Sequence, residues 1–116
     1  MQLPQEGSLL RIFIGEADKV DRKPLYEWIV LKAREQGLAG ATVLRGVMGY
    51  GANTRKIQTF RFDTLSEDLP IVVEIVDTEE NLEKFLDLVE PHVKAGLVTM
   101  EKAKIKFYRF EKKTDN

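Results

Sequence analysis

Seven residues, Pro70-Ile-Val-Val-Glu-Ile-Val76, are apolar at almost every position, and they limit the folds open to this chain. A strand with one wet face alternates apolar with polar residues, whereas a nearly continuous apolar strand has to be covered on both faces. Only two segments carry helical periodicity, one on each side of position 50, and two helices of that length cover one face of a sheet. The second face of the sheet must therefore be covered by something else. An exposed apolar face of several hundred Å² is more than a soluble monomer usually carries. The residues alone thus predict an oligomer that buries this face between copies.

The remaining elements fit around that strand. Leu9-Leu-Arg-Ile-Phe-Ile-Gly15 alternates, with Leu10, Ile12 and Ile14 on one face and Leu9, Arg11 and Phe13 on the other. A charged loop, 16–23, leads to Pro24, which suits the first turn of a helix because its missing N–H has no partner there anyway. Tyr26, Ile29, Val30 and Ala33 then recur at helical spacing, and Gly37 supplies a left-handed stop. Trp28 and Leu31 widen the apolar arc beyond one core face, so they predict a contact with a loop or another subunit.

Gly40 to Gly51 reads as the second strand, with Gly46 and Gly49 marking a bulge or the close approach of another backbone. Its end, Gly49-Tyr50-Gly51, opens a segment, 52–68, of weak periodicity; loops of that length in compact domains are usually functional or mobile. Within it, Ile57 to Phe62 alternates and predicts a short hairpin arm. After the apolar strand, Asp77-Thr-Glu-Glu80 resembles a capping box and places acidic residues against the helix dipole. Leu82, Phe85, Leu86, Val89 and Val93 form the stripe of the second helix, with a kink or break expected at Pro91. Lys94-Ala-Gly96 is a turn, Leu97 to Phe110 reads as the last strand, and residues 111–116 are a polar tail. The order is βαββαβ in one domain, residues 1–116 with a core over 9–110: an α+β, ferredoxin-like, four-stranded antiparallel sheet with both helices on one face.

Composition removes several classes of function. The net charge of −1 gives no general attraction to a polyanion, so nucleic acid is not an expected partner. There is no cysteine, hence no disulfide or thiolate metal site, and the one histidine, His92, cannot build a zinc site within one chain. No apolar run reaches the roughly 20 residues of a membrane span. Residues 1–8 lack the pattern of a signal peptide, so a cytoplasmic protein is expected.

Several residues are candidates for chemistry. Gly49-Tyr50-Gly51 permits a backbone to approach a phosphate or ring closely, and Tyr50 offers a stacking surface for a base. Arg55, Lys56 and Arg61 can grip an anion or a partner carboxylate. Lys104 and Lys106 share a strand face, and with Arg109 they can neutralise a polyphosphate. Glu16 and Asp18 can be read as paired carboxylates or hard-metal ligands, or simply as partners of a helix dipole. For each of these the plain alternative is a turn, a solvated loop or a solvated strand face.

The combination of Leu10-Arg-Ile-Phe-Ile-Gly-Glu16 with Gly40-Ala-Thr-Val-Leu-Arg-Gly-Val-Met-Gly-Tyr-Gly51, followed by Leu69-Pro70 and Val73-Glu-Ile-Val76, resembles the PII-like (GlnB-like) signalling proteins. Within them the likeness is to the domain of unknown function 190 family, over residues 9–108. The resemblance implies a homotrimer with inward-facing sheets, adenine-nucleotide clefts between subunits and a mobile T-loop at 52–68. By matching positions it implies nucleotide contacts from Thr42, Gly49, Tyr50 and Gly51, and from Glu74, Ile75 and Val76 of the neighbouring chain. It further implies phosphate contacts from Lys94 and Gly96, with Lys104, Lys106 and Arg109 on the final strand. Where nucleotide-binding PII proteins have Gly-Asp-Gly-Lys, this chain has Gly96-Leu-Val-Thr99. AMP or ADP is therefore favoured over ATP.

The expected function is that of a non-enzymatic regulatory trimer. It would bind an adenine nucleotide in each cleft and signal through residues 52–68, with Arg55, Lys56 and Arg61 meeting a protein target such as a membrane transporter or channel. The chain is not expected to insert into the membrane itself. Two other readings compete: a metal-binding or structural trimer of the divalent-cation-tolerance type, and a small enzyme that uses Glu16, Asp18, His92 and the terminal lysines at a subunit edge.

Overall fold

The computed structural model describes residues 3–60 and 68–111. In chain order the elements are β1 (Glu6–Gly15), β2 (Lys19–Val20), β3 (Lys23–Pro24), α1 (Leu25–Glu35), β4 (Thr42–Arg45), β5 (Met48–Gly49), β6 (Gln58–Thr59), β7 (Pro70–Asp77), α2 (Glu79–Val89), a 3-10 turn (Glu90–His92) and β8 (Leu97–Lys104). The main sheet has the order β4-β7-β1-β8 and is antiparallel throughout. The apolar strand β7 and the alternating strand β1 are its two central members, as an α+β ferredoxin-like arrangement requires.

Alternation along the strands separates the two faces. Leu10, Ile12 and Ile14 of β1 meet Ile71, Val73 and Ile75 of β7, and all six are no more than 2% exposed beneath the helices. Helix α1 adds Leu25, Ile29 and Ala33, and α2 adds Leu82, Phe85 and Val89, so the core lies between one sheet face and the two helices. On the other face the cross-strand partners Leu44, Val72, Phe13 and Leu97 form an apolar row. Beside it runs a polar row, Thr42, Glu74, Arg11 and Thr99. No element of the described chain covers this face, and Leu44 and Leu97 are about half exposed.

Both helix starts and stops follow local chemistry. Gly37 closes α1 with φ of 78°, a conformation glycine adopts without a steric penalty. Pro24 stands one position ahead of the helix rather than in its first turn, with ψ of 135°. Thr78 caps α2, its side-chain oxygen accepting the Asn81 N–H. Asp77, fully buried, accepts the N–H groups of Thr78 and Ala39 and the Asn81 amide, so it ties β7, α2 and the approach to β4 together without an unsatisfied charge. Helix α2 breaks at Glu90, where Pro91 takes the second place of the 3-10 turn.

Three expectations need correction. The stretch from Gly40 to Gly51 is not one strand: β4 ends at Arg45, Gly46 donates its N–H to the Pro70 carbonyl, and the chain pairs again as β5 with β6. Added Cβ atoms at Gly46 and Gly49 would stand 3.0 and 3.1 Å from the Pro70 ring, so the ring accounts for the glycines, and Pro70 has no N–H with which to continue the ladder. The last strand stops at Lys104 instead of Phe110, because its partner β1 begins at Glu6; one further backbone bond, from the Ile105 N–H to the Gln5 carbonyl, ends the pairing. The charged loop at 16–23 contains a small hairpin, β2–β3, whose corner residues Asp21 and Arg22 both have positive φ, as a two-residue turn with the twist of the strands demands.

Candidate functional site at the two ends of the sheet

The residues singled out in the sequence divide between the ends of the sheet, which lie about 30 Å apart along the ten residues of β1. At the Gly15 end, the segment leaving β5 passes over the end of the sheet to the C-terminus of α2. Gly49, Tyr50 and Gly51 start that crossing. Ala52 then lines a hollow of about 390 Å³ with Leu86, Glu90, Val93, Lys94, Ala95, Gly96 and Val98. The structure therefore brings Gly51, Lys94 and Gly96 into one neighbourhood although more than 40 residues separate them. Gly96 is obligatory there: a Cβ would stand 2.7 Å from the Phe13 carbonyl oxygen. Tyr50 is 58% exposed, and Arg55 lies over its ring at 4.8 Å. Lys56 is exposed, and Arg61 lies outside the described residues.

At the Glu6 end, Lys104 closes β8, and a wide hollow of about 910 Å³ is lined by Lys102, Lys104, Glu6 and Glu79, among others. Lys106 and Arg109 follow beyond the strand, with the Arg109 guanidinium 4.3 Å from the centre of the Phe107 ring. Tyr108 fastens this segment to the start of β4 by donating its hydroxyl to the Ala39 carbonyl, 2.6 Å away. Within one chain, then, Lys104, Lys106 and Arg109 are remote from Gly51 and Lys94.

Thr42 and Glu74 sit side by side in the polar row of the open face. Glu74 accepts a hydrogen bond from Arg11 at 2.8 Å, and Arg11 also reaches Glu101 at 2.6 Å. The bond to Glu74 is the main cause of a raised Arg11 pKa, so the guanidinium stays charged. Val76 lies half-buried on the same face, while the Ile75 side chain points into the core and is not available to a ligand.

The turn 15–18 carries the two carboxylates considered for catalysis. Glu16 accepts from Arg45 at 2.8 Å. Asp18 accepts the Gly15 N–H at 3.0 Å, and its pKa is raised by burial, opposed by that hydrogen bond and helped by nearby Asp68. Each is thus engaged in holding a turn. His92 of the 3-10 turn packs against Trp28 with ring centres 4.4 Å apart and planes tilted by 51°, which gives Trp28 a contact, whereas Leu31 of the same surplus arc remains about half exposed. Among the described residues no group of three or more His, Cys, Asp or Glu side chains could hold a metal ion. No helix among them is long and apolar enough to cross a membrane.

The structure adds Arg11, Arg45, Asn53 and Asp68 to the neighbourhood of the site. Arg45 and Arg11 carried a legible signal, a charge placed inside a strand pattern. Asn53 and Asp68 carried none, because their meeting depends on how the long segment folds back.

A family model for DUF190, described as "Uncharacterized ACR", matches residues 7–105. The chain is 40% identical over 97 residues to a UPF0166 protein of Aquifex aeolicus, covering 84% of this chain and 90% of that one. Among solved structures, CPII of Thiomonas intermedia, bound to ADP and bicarbonate, superposes with a TM-score of 0.60 at 19% identity, over 86% of this chain and 88% of the other. A putative PII-like signalling protein of Thermus thermophilus gives 0.61 at 15% identity, over 86% and 89%.

Proposed function

Because this chain belongs to the DUF190 family and has a PII-like fold, we propose that it is a non-enzymatic regulatory protein acting as a homotrimer. Each inter-subunit cleft would take an adenine nucleotide, and the segment after Gly51 would carry the signal to a protein target. The observation that supports this reading is the division of the site. Ligand-competent groups stand at opposite ends of a sheet whose second face is open, so packing copies through that face is the way to bring the ends together. In such a cleft, Thr42 and Tyr50 would meet the base, the backbone at Gly49 and Gly51 would allow close approach, and Lys94 would meet phosphate. Lys104, Lys106 and Arg109 would come from the adjoining copy.

Charge at the loop base favours a short phosphate chain. Lys94 has no carboxylate within ion-pair distance among the described residues, whereas Arg55 lies over Tyr50. AMP or ADP is then bound in preference to ATP. Differential affinity for two arrangements of residues 51–60 would convert binding into a signal, and Arg55 and Lys56 would present that arrangement to a partner carboxylate. Calorimetry with AMP, ADP and ATP tests the assignment. Binding of AMP or ADP, weakened about tenfold by Lys94→Ala through loss of one charge-assisted contact, is expected. Absence of heat with all three nucleotides would remove the ligand from the account.

A further inference from the structure

Two sequence motifs about 30 residues apart, Ile14-Gly15-Glu16 and Leu44-Arg45-Gly46, meet at one place in the fold. Arg45 donates to Glu16 at 2.8 Å just where the segment leaves β4. The same turn holds the far end of the segment: Ala17 donates its N–H to Asp68 at 2.9 Å, and Glu16 donates its own to the Leu69 carbonyl at 2.9 Å. Asp68 is also approached by the Asn53 amide at 3.4 Å, so both sides of the segment converge on four residues. Gly15 is what lets them close, since a Cβ there would fall within 2.4 Å of both Asn53 and Asp68 side-chain atoms.

We infer that the Glu16–Arg45 ion pair is an anion-responsive latch at the root of the described part of the segment, residues 46–60: paired, it holds the end of β4, from which the segment leaves, against the turn, and an anionic group that takes Arg45 from Glu16 loosens that root. The fastenings are unequal in the way a latch requires. The contacts at the Asp68 side have uncharged donors, the Ala17 and Glu16 N–H groups and the Asn53 amide, so they offer an anion no cation to take. The Arg45 contact is a single ion pair, with Arg45 54% and Glu16 25% exposed, and a phosphate offers the guanidinium a stronger bidentate partner than one carboxylate oxygen does. The releasing anion is therefore of the phosphate class. The inference rests on the regulatory reading of this segment and not on the adenine moiety.

Amide hydrogen exchange of the full chain tests it. An exposed ion pair supports a roughly two- to fivefold change in the opening equilibrium. Glu16→Gln is therefore expected to accelerate exchange across residues 46–60 by that factor, with the centres of β1 and β7 unchanged. Arg45→Gln should do the same, and the double variant should exchange no faster than either single one. Inorganic pyrophosphate, added against sodium chloride at equal ionic strength, should accelerate exchange in the wild-type chain and leave Arg45→Gln unaffected. Additive effects in the double variant, no response of the wild type to pyrophosphate, or an equal response in Arg45→Gln would each overturn the inference. If these expectations hold while no nucleotide gives heat, the nucleotide assignment falls and the latch stands.

Discussion

The two faces of the sheet are built from the same strands and have opposite fates. Ile12 and Phe13 are neighbours in β1; Ile12 is sealed beneath the helices, while Phe13 lies in an apolar row whose outer members, Leu44 and Leu97, remain about half exposed. The helix-covered face is apolar through its middle, with the buried polar pair Ser8 and Asp77 at one end. The open face is crossed by a row of polar side chains in which Arg11 bridges Glu74 and Glu101. The first pattern suits a core that needs only shape and volume. The second suits a surface that must be buried against a partner in one register, because charges have to find their places.

Neighbouring substitutions separate these roles most sharply. Ile12→Ala empties a fully buried site and is expected to lower folding stability by about 2–5 kcal/mol in chemical denaturation. Phe13→Asp should leave the helical content unchanged and dissociate the assembly in size-exclusion chromatography; if both variants merely unfold, the two faces do not differ as described. Gly96→Ala sets the close approach between the turn and β1, where overpacking is expected to cost about 1–3 kcal/mol in thermal unfolding. Thr78→Ala removes one cap on the core side and should cost about 1 kcal/mol, without altering assembly.

The smallest effect concerns pH. Burial raises the Asp18 pKa, so its carboxyl favours the folded state while protonated. That contribution is lost as pH rises from the ordinary aspartate range through the raised value. Asp18→Asn should therefore flatten this part of the melting-temperature profile, while the assembly stays intact. A wild-type profile that rises through the same interval and is unchanged in the variant would assign the effect elsewhere.

The sequence carried the sheet well because its signals were local and repeated. Alternation in β1, the continuous apolar run of β7 and the stripe Leu82, Phe85 and Val89 each reflect burial that recurs every second or fourth residue. The ferredoxin-like arrangement followed from their order, and the PII-like likeness from the motifs around Gly15 and Gly40 to Gly51. The strand ends were less legible, since where β8 stops depends on where β1 begins, and the break after Arg45 depends on a proline 25 residues away. The site was legible residue by residue but not as a place. Nothing near Gly51 in the chain announces that Lys94 and Gly96 lie beside it, and nothing near Glu16 announces Arg45.

Sedimentation of the full chain at micromolar concentration bears most directly on the central claim that copies bury the open face. A species of about 40 kDa is expected, three times the 13.3 kDa chain, that Phe13→Asp converts to the single-chain mass. A particle of 13.3 kDa alone in the wild type would contradict it.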